Sequence, residues 1–157
     1  MTLDEALLEK LAEWRCDSRR TLTTSAEGGP WSVALTADRA DQLGCLVWEL
    51  ALRRATPPGL PLGAWAGRTA GRVTGLLEPL KVVEVDDPRN EAMLRSDKPA
   101  RRGDELFYYE LLLKGNGEAQ LRRYHASRRG PARREQVAFA LTHEALAKLV
   151  ADLTADA

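Results

Sequence analysis

A β-hairpin signal centred on Gly115-Asn116-Gly117 limits the possible folds more than any other part of the sequence. The dipeptide Asn-Gly favours the tight hairpin turn in which both central residues have positive φ. The preceding segment, 105–114 (ELFYYELLLK), has apolar side chains at both its odd and its even positions, which is typical of a strand buried on both faces. We therefore predict an antiparallel sheet with 105–114 near its centre.

The same kind of alternation predicts further strands on both sides of this hairpin. Those in the C-terminal half form a meander with 105–114 and span 80–86, 91–96, 118–127 and 135–141. In the N-terminal half, residues 20–25 and 31–36 alternate around Glu27-Gly28-Gly29-Pro30 and predict a second hairpin. The expected sheet has about five to seven strands.

Apolar residues at helical spacing predict an N-terminal helix, two central helices and a C-terminal helix. Their approximate ranges are 3–15, 37–54, 62–78 and from 143 onward. Thr36 and Thr142 directly precede two of these helices and suit the N-cap position. A short break at 55–61 separates the two central helices. We predict a single globular α+β domain over 1–157, with the helices packed mainly on one face of the antiparallel meander.

Glycine recurs at every fourth position of the second central helix, at Gly63, Gly67, Gly71 and Gly75. Each glycine inside a helix costs about 0.8–1 kcal/mol relative to alanine, so a compensating contact is expected. Residues four apart lie along one ridge, and a ridge without Cβ atoms allows another element to approach closely. We predict close helix packing along this ridge, against the 37–54 helix or against a second copy of the chain. A chance pattern or a partly helical segment is the remaining interpretation.

The composition is that of a globular protein without a global electrostatic bias. The 157-residue chain is 44% hydrophobic and 29% charged, and its formal net charge is zero. Arginine outnumbers lysine by 18 to 5, which fits a bacterial-like, high-GC composition. Cys16 and Cys45 match no metal or redox motif, and no apolar run approaches the length of about 20 residues that a membrane span needs. We expect a cytoplasmic protein with reduced thiols and no membrane contact.

The sequence contains no motif for catalysis, phosphate binding or metal binding. His125 and His143 have no partner at metal-ligand spacing, and we interpret both as structural. Residues 86–91 include two aspartates, an asparagine and a glutamate, and we interpret them as a turn whose polar side chains bond to their own backbone. A weak divalent-cation site is the less favoured alternative for these residues. No cofactor is expected, and an enzyme is the least favoured functional class.

Positive charge concentrates in residues 95–134, which contain 11 lysines and arginines against 5 aspartates and glutamates. Most of the excess lies in two loops, 98–103 and 128–134. Because alternate turns of an antiparallel meander fall at the same end, we expect these loops to lie side by side, opposite the turns at 86–90 and 115–117. The predicted site for an anionic partner consists of Arg101, Arg102, Arg128, Arg129, Arg133 and Arg134. Arginine clusters bind carboxylate and phosphate groups bidentately.

The leading functional prediction is a non-enzymatic protein-binding or adaptor domain, alone or as a homodimer, that binds an acidic protein segment. Basic loops that only aid solubility are the simpler interpretation of the same arginines. One alternative function is a carrier of a small apolar ligand, with a pocket between sheet and helices lined by Trp65, Phe107 and Tyr109. Another is a nucleic-acid binder, which is less favoured because the basic loops lack aromatic residues that stack on bases.

Overall fold

A computed structural model describes residues 1–129 and 133–155 of the chain. Over these residues the fold is α+β, with ten strands in one antiparallel sheet and three α-helices. The strands are β1 (Arg20–Ser25), β2 (Trp31–Ala40), β3 (Gly44–Arg54), β4 (Leu80–Asp86), β5 (Glu91–Ser96), β6 (Ala100–Arg102), β7 (Glu105–Lys114), β8 (Glu118–Ser127), β9 (Arg134–Val137) and β10 (Phe139–Thr142). The helices are α1 (Leu3–Leu11), α2 (Leu62–Arg72) and α3 (His143–Thr154).

The main series of strands runs in the order β1-β2-β3-β8-β7-β5-β4, and three short strands lie beside it. Of these, β6 pairs with β7, β9 with β8 and β10 with β3. β3 and β8 pair directly only where residues 50–53 lie opposite residues 118–121. Beyond this point β3 and β8 diverge, and two short strands fill the gap between them. β9 pairs with β8, the chain bends at Ala138, and β10 pairs with β3. The insertion therefore separates the two halves of the sheet at one end.

The hairpin predicted around Gly115-Asn116-Gly117 is confirmed. β7 and β8 pair along the full ten residues of each strand. Gly117 has a φ of 108°, a left-handed value that side chains disfavour. Its carbonyl oxygen accepts a 2.8 Å hydrogen bond from the backbone N–H of Arg54. β7 lies between β8 and β5, so the apolar strand is central, as its sequence predicts.

The predicted helix over 37–54 is wrong, because this part of the chain forms the end of β2 and all of β3. The physical reason is a β-bulge at Trp48, where β3 gains one residue relative to β2. The bulge places the buried residues of β3 at 45, 47, 50 and 52. The three-residue step from Val47 to Leu50 imitates helical spacing and hides the period of two. The break at 55–61 consequently separates a strand from α2, and only one central helix is present among the described residues.

The described residues form more strands than the five to seven predicted. β3 takes the place of a helix, and the short strand β6 has too few residues to show a pattern. The predicted strand 135–141 is divided at Ala138 into β9 and β10, since its two halves pair with different neighbours. The coarse α+β class with an antiparallel sheet is confirmed.

The helices and one face of the sheet share a contiguous hydrophobic core. α1, α2 and α3 contribute Leu7, Trp65 and Val150, each at most 2% exposed. The central strands contribute alternate residues such as Leu111 and Leu121. The predicted N-cap of the last helix is confirmed, since the Thr142 hydroxyl accepts a 3.1 Å hydrogen bond from the backbone N–H of Ala145.

The glycine ridge does not pack against a neighbouring helix, so that prediction is wrong. A Cβ atom placed on Gly63, Gly67 or Gly71 would have no heavy atom within 4 Å, apart from the chain next to it. Gly75 lies beyond the end of α2, and its added Cβ would meet only the Lys148 side chain, at 3.8 Å. The proposed partner helix is absent because its residues form strands. Packing of the ridge against a second copy stays a prediction.

Candidate binding site at the arginine pole

The two basic segments predicted as loops meet at one end of the sheet, but Arg101 and Arg102 belong to the short strand β6 and Arg134 begins β9. The backbone N–H of Arg128 donates a 2.9 Å hydrogen bond to the carbonyl oxygen of Asp104, which joins the chain after β8 to the turn between β6 and β7. Arg129 Nε lies 2.5 Å from Asp104 Oδ2. We call residues 101, 102, 128, 129, 133 and 134 the arginine pole. Residues 130–132 of the second loop lie outside the described residues.

The turns predicted at the opposite end also meet. The backbone N–H of Gly115 donates a 2.8 Å hydrogen bond to the carbonyl oxygen of Asn90. Within the 86–90 turn, Asp86 Oδ1 accepts a 3.2 Å hydrogen bond from the backbone N–H of Arg89. This carboxylate therefore bonds to the backbone of its own turn, in the manner that the turn interpretation predicts.

One member of the arginine pole is held by groups of the sheet. Arg134 forms an ion pair with Glu110, and its guanidinium lies 3.9 Å from the centre of the Tyr124 ring. The hydrogen bond to Glu110 raises the pKa of Arg134 above its usual value. Arg95 Nε also lies 2.9 Å from Glu110. Glu110 is buried between two guanidinium groups, so Arg134 is already paired within the sheet, although its own side chain is 40% exposed.

Four other members of the pole are exposed and have no ion pair within the described ranges: Arg101, Arg102, Arg128 and Arg133. The guanidinium of Arg102 lies 5.4 Å from the centre of the Phe107 ring, within the range of a cation–π contact. The side chain of Arg129 is 86% exposed and forms an ion pair with Asp104. The pole thus presents four exposed guanidinium groups beside the Arg129–Asp104 pair.

Both histidines contact neighbouring groups of the fold. His125 stacks on Phe107 with ring centres 4.8 Å apart and forms a pair with Glu105. The ring Nε2 of His143 lies 3.0 Å from the carbonyl oxygen of Asp41. Neither arrangement brings together a nucleophile and a base.

The aromatic residues predicted to line a ligand pocket do not line one together. Trp65 packs against Trp31 with ring centres 6.4 Å apart, and Tyr109 contacts Phe139 with ring centres 5.3 Å apart. Both side chains fill the core, at 2% and 1% exposure. Phe107 is instead half-buried beside the arginine pole.

A cavity of about 600 Å³ lies elsewhere, beside the turn between β2 and β3. Its lining includes both cysteines, Cys16 and Cys45, with Asp41 and Leu43 at the turn. Burial raises the pKa of the Cys45 thiol to about 11, so this group is protonated at neutral pH. The pKa of Cys16 is raised by the same cause. Burial therefore disfavours the thiolate form of both cysteines.

The sequence does not predict the buried ion pair between Glu78 and Arg123. Arg123 Nη1 lies 2.9 Å from Glu78 Oε1, and both side chains are less than one-tenth exposed. Ser96 Oγ donates a 3.0 Å hydrogen bond to the same carboxylate and accepts one of 2.8 Å from the backbone N–H of Tyr109. Alternation along β8 places Arg123 on the face of Ala119 and Leu121, but its partner Glu78 is 45 residues away, so only the structure identifies the pair.

Comparison with protein-family models, curated proteins and solved structures gives no match. Within residues 1–129 and 133–155, no group of three or more His, Cys, Asp or Glu side chains could hold a metal ion. None of the helices described is both long and apolar enough to cross a bilayer. A functional argument for this chain therefore depends on its own geometry.

Proposed function

We propose that this chain is a non-enzymatic protein-binding domain whose arginine pole binds an acidic segment of a partner protein. The supporting observation is the hydrogen bond from the backbone N–H of Arg128 to the carbonyl oxygen of Asp104, which holds the two basic segments next to each other. As a result, four exposed guanidinium groups from separate parts of the sequence face solvent at one end of the sheet. Guanidinium groups recognise carboxylates through two parallel hydrogen bonds, which gives direction as well as attraction.

An extended acidic peptide fits this end of the sheet. β6 pairs with β7 on one side, and its other backbone edge has no strand partner among the described strands. A peptide segment can add to such an edge through backbone hydrogen bonds, while its side chains reach Arg101 and Arg102. Each exposed ion pair is worth at most about 1 kcal/mol, so several must act together and the affinity is modest and salt-dependent.

A peptide suits the site better than a nucleic acid. Asp104 and Glu105 lie within the basic surface and would repel a backbone that carries a phosphate at every nucleotide. A protein segment of mixed composition can place neutral residues opposite these carboxylates. The net charge of zero also provides no long-range attraction for a polyanion.

The test is fluorescence anisotropy with a labelled peptide of about twelve alternating glutamates and serines, titrated with the full chain. The double variant Arg101→Glu and Arg128→Glu should weaken binding by about tenfold or more, because two attractive contacts become repulsive. The matched control is Arg53→Glu with Arg89→Glu, which changes the net charge equally at the opposite end of the sheet. It should alter the affinity by less than about twofold.

Two results would contradict the proposal. Equal losses from both double variants would mean that net charge, rather than the arginine pole, attracts the peptide. Tighter binding of a single-stranded oligonucleotide of equal charge, measured at the same salt concentration, would favour the nucleic-acid function instead.

A further inference from the structure

The edge strand β4 concentrates exposed apolar side chains. Across the described part of the chain six large apolar side chains are exposed, and four of them fall within residues 77–85: Leu77, Val82, Val83 and Val85. β4 pairs with β5 on one side, and no described strand pairs with its other side. An exposed apolar edge is a template for pairing with another strand. The opposite edge strand, β1 (RTLTTS), instead presents mainly hydroxyl side chains.

A β-bulge at Val83 decides which side chains of β4 share a face. The register passes from Val82, opposite Leu94, directly to Glu84, so the bulge interrupts the alternation. Directly paired residues lie on the same face of a sheet, and Leu94 is fully buried in the core. Val82 therefore lies on the face that packs against the helices, here called the helix-bearing face. On this register the helix-bearing face holds Leu80, Val82 and Val85, and the open face holds Lys81, Glu84 and Asp86.

We propose that β4 pairs antiparallel with β4 of a second copy of this chain, so that two sheets join edge to edge about a twofold axis at Val82. Each Val82 then lies opposite the partner subunit's Val82 on the helix-bearing face. Lys81 lies opposite the partner subunit's Glu84 on the open face, and Leu80 lies opposite the partner subunit's Val85. A twofold axis repeats every contact, so the interface contains two Lys–Glu pairs and a continuous apolar row.

Charge complementarity selects this register. The two neighbouring registers that keep both faces matched shift the strands by two residues in either direction. They bring Glu84 or Lys81 opposite itself, where like charges repel. Lys81 Nζ lies 3.6 Å from Asp97 of its own chain, and both side chains are more than half exposed. Such a surface pair is weak, so the ammonium group remains available to the partner subunit.

This inference is independent of the arginine pole, because β4 lies at the edge of the sheet and includes none of the six arginines. A lysine and a bulge on an edge strand also protect monomers against unwanted pairing. A strictly monomeric chain is therefore the contrary outcome, and concentration-dependent association decides between the two.

The experiment is sedimentation velocity on the full chain over a wide concentration series. Lys81→Glu and Glu84→Lys should each weaken dimerisation by about tenfold or more, since each creates two like-charge pairs at the interface. The double variant should return the dissociation constant to within about threefold of the original, because each pair is opposite in charge again. Val82→Lys should remove the dimer, as two ammonium groups would meet at the axis.

The matched control is Thr23→Lys on β1, which adds the same charge to the opposite edge and should leave dimerisation unchanged. Circular dichroism and thermal unfolding confirm that each variant is folded. A chain that stays monomeric at the highest soluble concentration overturns the proposal. So does a dimer that is insensitive to the substitutions in β4, or a double variant that fails to regain affinity.

Discussion

Two consecutive arginines of β8 differ in environment because successive side chains of a strand point to opposite faces. The side chain of Arg123 is 8% exposed and pairs with Glu78 at 2.9 Å. The side chain of Arg122 is 39% exposed and pairs with Glu49 at 2.6 Å on the open face. A buried charge that loses its partner destabilises a protein strongly, whereas a partly exposed pair such as Arg122–Glu49, with Glu49 24% exposed, contributes less.

Removal of each carboxylate should therefore have unequal effects. Glu78→Ala should lower the free energy of unfolding by about 3–5 kcal/mol, because Arg123 stays charged in the core without a partner. Glu49→Ala is the matched control and should cost less than about 1 kcal/mol. Urea unfolding followed by tryptophan fluorescence measures both values. Similar losses for the two variants would mean that Arg123 reaches water when Glu78 is absent.

At the scale of elements, α2 has a solvent-facing ridge that lacks side chains, and no contact in the structure explains it. Replacing Gly67 and Gly71 by alanine should raise the free energy of unfolding of the dilute chain by about 1–2 kcal/mol, since alanine favours the helix and has open space around it. Urea unfolding measures the change. A loss of stability would indicate that a neighbour does contact this ridge.

Gly44→Ala provides the opposite control. Unlike the glycines of α2, Gly44 has no free space around it. It pairs with Thr142 of β10, and an added Cβ would lie 2.5 Å from the carbonyl oxygen of Leu141. This backbone must move to admit a methyl group, so the variant should lose about 1–3 kcal/mol. A gain in stability for Gly44→Ala would contradict the close approach of β3 and β10.

Strands whose buried and exposed side chains alternate without interruption could be predicted from the sequence, whereas β3, whose alternation a bulge interrupts, could not. The strands 80–86, 91–96, 105–114 and 118–127 are observed with the predicted bounds, because alternation and turn residues agree there. β3 resisted prediction, since one extra residue at Trp48 shifts the buried positions toward helical spacing. Local periodicity cannot reveal a bulge, which depends on the pairing of one strand with its neighbour.

The arginine pole illustrates the same limit for the site. Adjacency of the two loops follows from the order of the meander, so the sequence predicts which arginines share an end. Which of them is paired within the sheet depends on the sheet register, because Arg134 meets Glu110 only through the alignment of β9, β8 and β7. Sequence separation gives no indication of that contact, so the sequence alone predicts a site of six equivalent arginines.

For the whole molecule, the decisive feature is that helices from both ends of the chain enter the same core as the central strands. Leu7 and Leu11 of α1 and Leu146 of α3 are all fully buried in the cluster that includes Leu111 and Leu121. A helix layer that shares its apolar contacts with the sheet cannot leave without exposing the strands to water. We therefore expect α1, α3, β7 and β8 to unfold together as one cooperative unit.

Leu11→Ala tests this expectation. The substitution should lower the free energy of unfolding by about 2–5 kcal/mol through the cavity that it leaves. If unfolding is cooperative, the slowest amides of β7 and β8 should exchange faster by the factor that corresponds to this loss, although they are distant in sequence. Leu43→Ala is the matched control, because that side chain is 72% exposed and its truncation should change neither quantity. Faster hydrogen exchange confined to α1 and α3 would instead mean that the helix layer unfolds separately and that the sheet retains its own stability.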